Sequence, residues 1–203
     1  MTTLAFALAA TIKHDGHGGV ADLLSTPDEA AAWLTEHDQL VAQVLGSESD
    51  LGRFVHPNRP ETLPKLWKEV VRIRGAVRAL FARAVAPGEP SAADVGRLMN
   101  VEDALRIVNE AADGLGTTHL EWVDEPSVRW AYRTEDPIAL LVGAVGRSAI
   151  DFLASPDRAR LRACPAARCV KYFLQDDPRQ TWCSPACGNR ERVNRHYRKR
   201  TSG

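Results

Sequence analysis

The sequence predicts an α+β chain in two parts. Residues 1–155 form a predominantly helical body with a small antiparallel β-hairpin, and residues 156–203 form a compact cysteine-bearing segment. Three observations carry this division. Apolar residues recur at helical spacing through most of the body. All four cysteines, Cys164, Cys169, Cys183 and Cys187, fall in the last 40 of 203 residues. The net charge of zero hides an asymmetry: residues 1–150 hold 14 basic and 21 acidic side chains, residues 151–203 hold 12 and 5. An acidic body and a basic end suggest that the end faces a polyanion.

The elements follow in order. Met1–Thr11 is apolar but has no basic residue before Lys13, so it reads as a buried strand or helix turn rather than a leader. His14-Asp15-Gly16-His17-Gly18-Gly19 holds metal-capable side chains in a glycine-rich loop, which does not preorganise a site. Thr26-Pro27-Asp28-Glu29 supplies a cap, a first-turn proline and acidic residues for a helix over 27–45. Leu51–Arg59 reads as loop. Thr62 and Pro64 open a second helix to about Val85, with an apolar stripe from Leu66 to Ala84. Its other face carries Lys65, Lys68, Arg72, Arg74, Arg78 and Arg83, read as a solvated face in preference to an anion-binding one. Ser91 with Asp94 makes a box-like cap for a third helix over 92–112. Thr118–Val123 and Val128–Arg133 alternate around Asp124–Ser127 and predict the hairpin. Its Trp122, Trp130 and Tyr132 are read as core, with a small-molecule pocket as the alternative. Asp136-Pro137 opens the last body helix, and Ser155-Pro156-Asp157 ends it.

The cysteine spacing C-x4-C-x13-C-x3-C provides two close pairs with a connector long enough to fold back. Four thiolates so arranged suit a tetrahedral zinc ion, and leave no open position for catalysis. Two disulfides, or four unlinked thiols, are the alternatives. His196 is a spare donor that a complete four-cysteine set does not need. Val170–Leu174 and Gln180–Trp182 read as two strands of a hairpin between the pairs, and Pro185 starts a helix that runs on as Arg190–Arg200. Knuckle, hairpin and helix make a treble-clef architecture, too small to fold without its metal. Lys171, Asn189 and Arg190 stand near enough to support the thiolates.

Trp182-Cys183-Ser184 followed by Cys187-Gly188-Asn189-Arg190 resembles the CGNR zinc finger. The body, with Asp22–Pro27 and Trp33-Leu34, is similar to the ABATE domain that precedes it. The resemblance covers nearly the whole chain. It implies a bacterial, stress-linked transcription regulator with one structural Zn²⁺ and a finger that binds duplex DNA. The body would then sense a small-molecule ligand or mediate assembly, for example as a homodimer. Arg190, Arg192, Arg195, Arg198, Lys199 and Arg200 are the expected phosphate contacts, with Asn194 or an arginine reaching base edges. The alternatives are an RNA- or protein-binding module, and a basic helix docked on its own acidic body. No nucleophile motif or phosphate loop is present, so an enzyme is not expected. No apolar run approaches the roughly 18 residues that span a bilayer. Without a membrane segment or export signal, and with cysteines at metal spacing, a reducing cytoplasm is expected.

Overall fold

The computed structural model describes residues 3–15, 19–45 and 60–201; the expected loop over Leu51–Arg59 and the side chain of His17 lie outside them. The body is a bundle around two long helices. α1 (Leu4–Ala9) is capped by Thr3 and buries Leu4, Ala5, Leu8 and Ala9 almost completely, which fulfils the expectation of a buried turn. β1 (Ile12–His14) and β2 (Val20–Asp22) pair antiparallel behind it. Here Asp15 closes the turn, accepting from the Gly19 amide at 2.8 Å.

The helix expected over 27–45 is broken in two. α2 (Pro27–Glu36) starts with the reciprocal Thr26/Glu29 capping box and stops at His37. The His37 imidazole stacks on Trp33 at 4.5 Å and its Nδ1 lies 2.8 Å from the Trp33 carbonyl. α3 (Asp38–Leu45) restarts from Asp38 and buries Val41 and Leu45. α4 (Leu63–Ala84) has the expected limits and fills the centre with Val70, Ile73, Val77 and Phe81.

The expected 92–112 helix starts late. Ser91 and Asp94 do not cap it, because their side chains are taken by partners distant in sequence. α5 (Val101–Leu115) begins instead at Asn100, whose Oδ1 accepts from the Glu102 amide at 2.7 Å. Gly116, at φ 121°, turns the chain directly into β3 (Gly116–Trp122), which pairs with β4 (Pro126–Tyr132) as expected. α6 (Pro137–Ala154) is capped by Asp136, whose Oδ1 accepts from the Ile138 amide at 3.0 Å. Gly146 lets α6 approach α5 closely: a Cβ there would lie 2.8 Å from the Val108 carbonyl oxygen.

α6 also corrects the reading of apolar runs. Its 18 residues have a mean hydropathy of 1.5, enough by length and composition to cross a bilayer. In this fold 61% of that window is buried, and Leu141, Ala144, Val145 and Phe152 pack into the core.

β5 (Leu161–Ala163) and β6 (Tyr172–Leu174) pair antiparallel across the first cysteine pair. This differs from the expected hairpin, in which β6 paired with Gln180–Trp182. Gln180 is instead held by side-chain bonds: its carbonyl accepts from Gln175 Nε2 at 2.9 Å, and its Oε1 from the Asp176 amide at 2.9 Å. Those side chains satisfy the backbone groups a strand would have paired. α7 (Pro185–Thr201) completes the segment.

The core does not stop where the cysteine segment begins. Leu161 and Tyr172 are buried in the same cluster as the body helices. Phe6, Phe81 and Phe152 pack tilted or edge-to-face among themselves with centroids 5.1–5.4 Å apart, and Tyr172 packs edge-on to Phe81 at 5.7 Å.

Candidate metal centre and basic helix

The four cysteines converge. Their Sγ atoms all lie within 4.8 Å of one another, and Cys164, Cys169 and Cys187 are buried. Cys183 Sγ stands 3.6 Å from both Cys169 Sγ and Cys187 Sγ. A tetrahedron with Zn–S bonds near 2.3 Å has edges of about 3.8 Å, so the set fits one zinc ion. The cysteines are free thiols, which removes the two-disulfide alternative.

Local sequence explains each ligand. The knuckle Cys164-Pro165-Ala166-Ala167-Arg168-Cys169 closes through the Cys169 amide to the Ala166 carbonyl at 2.8 Å, with Arg168 left-handed at φ 65°. The hairpin holds it from behind, the Cys164 amide donating to the Lys171 carbonyl at 2.9 Å. The second pair straddles the start of α7. Ser184 accepts from the Gly188 amide at 3.3 Å and its hydroxyl from the Cys187 amide at 3.4 Å, so both thiols sit at the positive end of the helix.

The electrostatics of the thiols call for a cation. Hydrogen bonds from Cys169, then Cys183, draw Cys164 down to about 2. The bond to Cys164 pushes Cys169 up to about 11, and the same neighbour drives Cys183 higher still. Four crowded thiols do not all ionise unaided. A divalent ion displaces their protons and supplies the missing charge. Zinc held by four thiolates has a structural role, bracing knuckle and helix against each other.

The Cys187-Gly188-Asn189-Arg190 tetrapeptide has a structural reason at each position. Gly188 lies against the Trp182 indole, where a Cβ would come within 2.9 Å of Cδ1. Arg190 donates to the Ala167 carbonyl at 3.1 Å, and Glu191 Oε1 accepts from the Ala167 amide at 2.7 Å, so helix and knuckle are clasped beyond the metal. Asn189 Oδ1 accepts from Arg192 at 2.7 Å. Of the expected thiolate supports, Lys171 acts through its backbone carbonyl while its side chain is exposed. The Cys183 amide, 3.4 Å from Cys164 Sγ, approaches a sulfur directly.

The expected nucleic-acid contacts divide into two groups. Arg190 and Asn194 are half-buried and engaged inside the finger, Asn194 donating to Glu191 Oε1 at 3.2 Å. Arg192, Arg195, Arg198 and Arg200 are exposed, and the Lys199 side chain lies outside the described residues. The alternative in which α7 seals against the acidic body is not what is found. Val193 is 53% exposed and Tyr197 63% exposed along its outer surface.

Sequence reasoning missed how the finger joins the body. Arg78 is buried and grips Asp94 with two bonds, Nε to Oδ1 at 2.8 Å and Nη2 to Oδ2 at 3.0 Å. It also donates to the Ala9 carbonyl at 2.6 Å and to Ser91 Oγ at 3.1 Å. Ser91 Oγ in turn donates to the Val170 carbonyl at 2.9 Å, and Tyr172 donates to Asp94 Oδ2 at 2.6 Å. Burial, then the bond to Asp94 and its charge, push the Tyr172 phenol far above its ordinary range. Val170 directly follows the ligand Cys169, so the buried network ends one peptide from the metal.

Arg74 forms a second internal pair, with bonds of 2.5 and 2.6 Å to Asp22 and one of 3.0 Å to Thr11 Oγ1. The reading of Arg74 and Arg78 as part of a solvated face is therefore wrong. Among the described residues, the remaining candidates do not assemble a site. Trp122 is 69% exposed, against the expectation of core. Trp130 and Tyr132 are anchors, donating to the Val44 carbonyl at 3.0 Å and the Leu45 carbonyl at 2.8 Å.

Comparison with protein families agrees with this anatomy. The ABATE family model, described as "Putative stress-induced transcription regulator", matches residues 2–156, and the CGNR zinc-finger model matches residues 160–200. No curated protein matches the chain.

Proposed function

Because the chain belongs to the ABATE family of transcription regulators and carries a CGNR zinc finger, we propose that it is a zinc-dependent regulator whose α7 helix binds duplex DNA. The observation that carries this reading is the exposed cationic helix held rigidly by the metal cluster and by the Arg190 and Glu191 clasp. Arginines on such a helix neutralise phosphates and set its register on the duplex. Asn189, Arg192, Val193 and His196 follow one another at i, i+3, i+4 and i+7 and are all exposed. They form the row that meets base edges, a polar set with one methyl-bearing side chain for thymine. This replaces Asn194, which is tied to Glu191, as the base-reading amide. The body serves as the sensing or assembly half.

A second reading rests on Tyr197. An exposed aromatic beside arginines also suits stacking on an unpaired base, so single-stranded RNA is the competing ligand. Fluorescence anisotropy with the zinc-loaded chain separates the two. Duplex DNA is expected to bind, with the log–log salt slope falling by about 0.9 for each phosphate contact removed by Arg195→Ala or Arg200→Ala. Equal or tighter binding to single-stranded RNA, lost on Tyr197→Ala, would overturn the DNA reading.

A further inference from the structure

The β3–β4 ribbon is amphipathic in an unusual direction. Register places Thr118 opposite Trp130, Leu120 opposite Val128 and Trp122 opposite Pro126. Alternation puts these six on one face, and none is charged. The other face carries His119, Glu121, Ser127 and Arg129, with Glu121 and Arg129 paired to each other. The uncharged face meets water: Leu120 is 69% exposed, Val128 62%, and Val123 at the tip 89%.

Among the described residues, the ribbon is anchored at its root, by Trp130 and Tyr132 on the end of α3. A two-stranded ribbon with an unpacked apolar face is marginal by itself. Beside the root, Thr118, Val128 and Trp130 form one wall of an open cleft of about 560 Å³. Leu40, Val44 and Phe152 line the rest of it together with the polar Gln43, Arg147, Asp151 and Asp157.

We propose that this ribbon is a dimerisation arm, its apolar face stacked on the same face of a second copy. Three features select a second copy over other occupants. A two-fold interface packs the same patch of both copies together, so a charge near its axis would meet its like; this face has none. The exposed parts of Leu120, Trp122, Val123 and Val128 together offer on the order of 500 Å². Two such faces bury about 1,000 Å², the threshold of a biological interface, before the contacts at the root are added. The tip carries Asp124 and Glu125, so the ribbons cross antiparallel, which keeps the acidic tips apart. That crossing also lays Trp122 and Val123 of one copy against Leu40, Val44 and Phe152 in the cleft at the root of the other. The interface thus closes reciprocally and does not propagate.

Sedimentation velocity of the zinc-loaded full chain over a broad micromolar range tests this. The expected particle has twice the 22.3 kDa chain mass. Trp122→Glu and Val128→Glu should each weaken association at least ~30-fold, since large central anchors dominate such interfaces. Both positions are exposed, so circular dichroism and zinc content should be unchanged. Thr117→Glu, on the polar face, should leave the dimer intact. A wild-type monomer at every concentration would overturn the proposal, whether the cleft then holds a small molecule or another protein. So would a dimer that both glutamate variants leave untouched. Neither outcome bears on α7 and DNA, which are read by a separate titration.

Discussion

The two longest basic helices of this protein use the same residue in opposite ways. α4 is a body helix of 22 residues and α7 a finger helix of 17, and arginine is prominent in both. In α4, Arg74 and Arg78 turn inward and are buried against Asp22 and Asp94. In α7, Arg192, Arg195, Arg198 and Arg200 point outward. The helix does not decide which. A buried guanidinium needs a carboxylate and enough carbonyls to occupy its donors, and α4 finds both in neighbouring elements. On α7 the four arginines keep their side chains at the surface.

Removing the metal should break the comparison most severely. A structural zinc in such a module contributes folding free energy of about 10–16 kcal/mol. Chelation, or Cys183→Ser, should therefore melt α7 while α4 persists, seen as selective loss of amide-exchange protection in 185–201. Next is the internal pair. Arg78→Met strands Asp94 as a buried charge and should cost about 3–5 kcal/mol in denaturant titration. Arg195→Ala should change stability by no more than ~0.5 kcal/mol. Equal costs for the two would end the distinction between inward and outward arginines.

A smaller effect is expected where α7 leans on Trp182. Gly188→Ala places a methyl 2.9 Å from the indole and should destabilise the zinc-loaded finger by about 1–3 kcal/mol, read as a lower Tm. The smallest effect concerns Asp22. Burial raises its pKa, but the Arg74 hydrogen bond, the Leu24 amide and the nearby guanidinium charges outweigh this and hold it below the usual 3.8. Its pairing therefore stabilises fully above that value and fades as pH falls through the lower folded-state pKa. The stability gap between wild type and Asp22→Asn should narrow over that acid range, and stay constant at neutral pH.

The same comparison explains what could be read from the chain. Cys164, Cys169, Cys183 and Cys187 were legible because a metal site is specified by close pairs along the sequence. Thr26, Asp136 and the strand alternation at Thr118–Arg133 were legible because caps and pleats are local. Arg78, Ser91 and Asp94 were not. Ser91 and Asp94 mimic a helix cap, and only the fold shows that Arg78 claims them and Val170 closes the set. Gln180–Trp182 misled in the same way: its place between the cysteine pairs suggested a strand, but glutamine side chains occupied the backbone groups. Trp122 was misjudged because size and apolarity suggest burial, whereas register puts it on a face that the body does not cover.

The seam at Val170 has a mechanical consequence. Because one carbonyl next to a metal ligand is gripped by residues rooted in the middle of the body, the finger is not a tethered hand on a slack cord. Its α7 helix is held like a key on a fixed shank. In a pair of such molecules, the gap between the two keys would be set by the stiffness of the bodies, as the teeth of a comb are set by its spine.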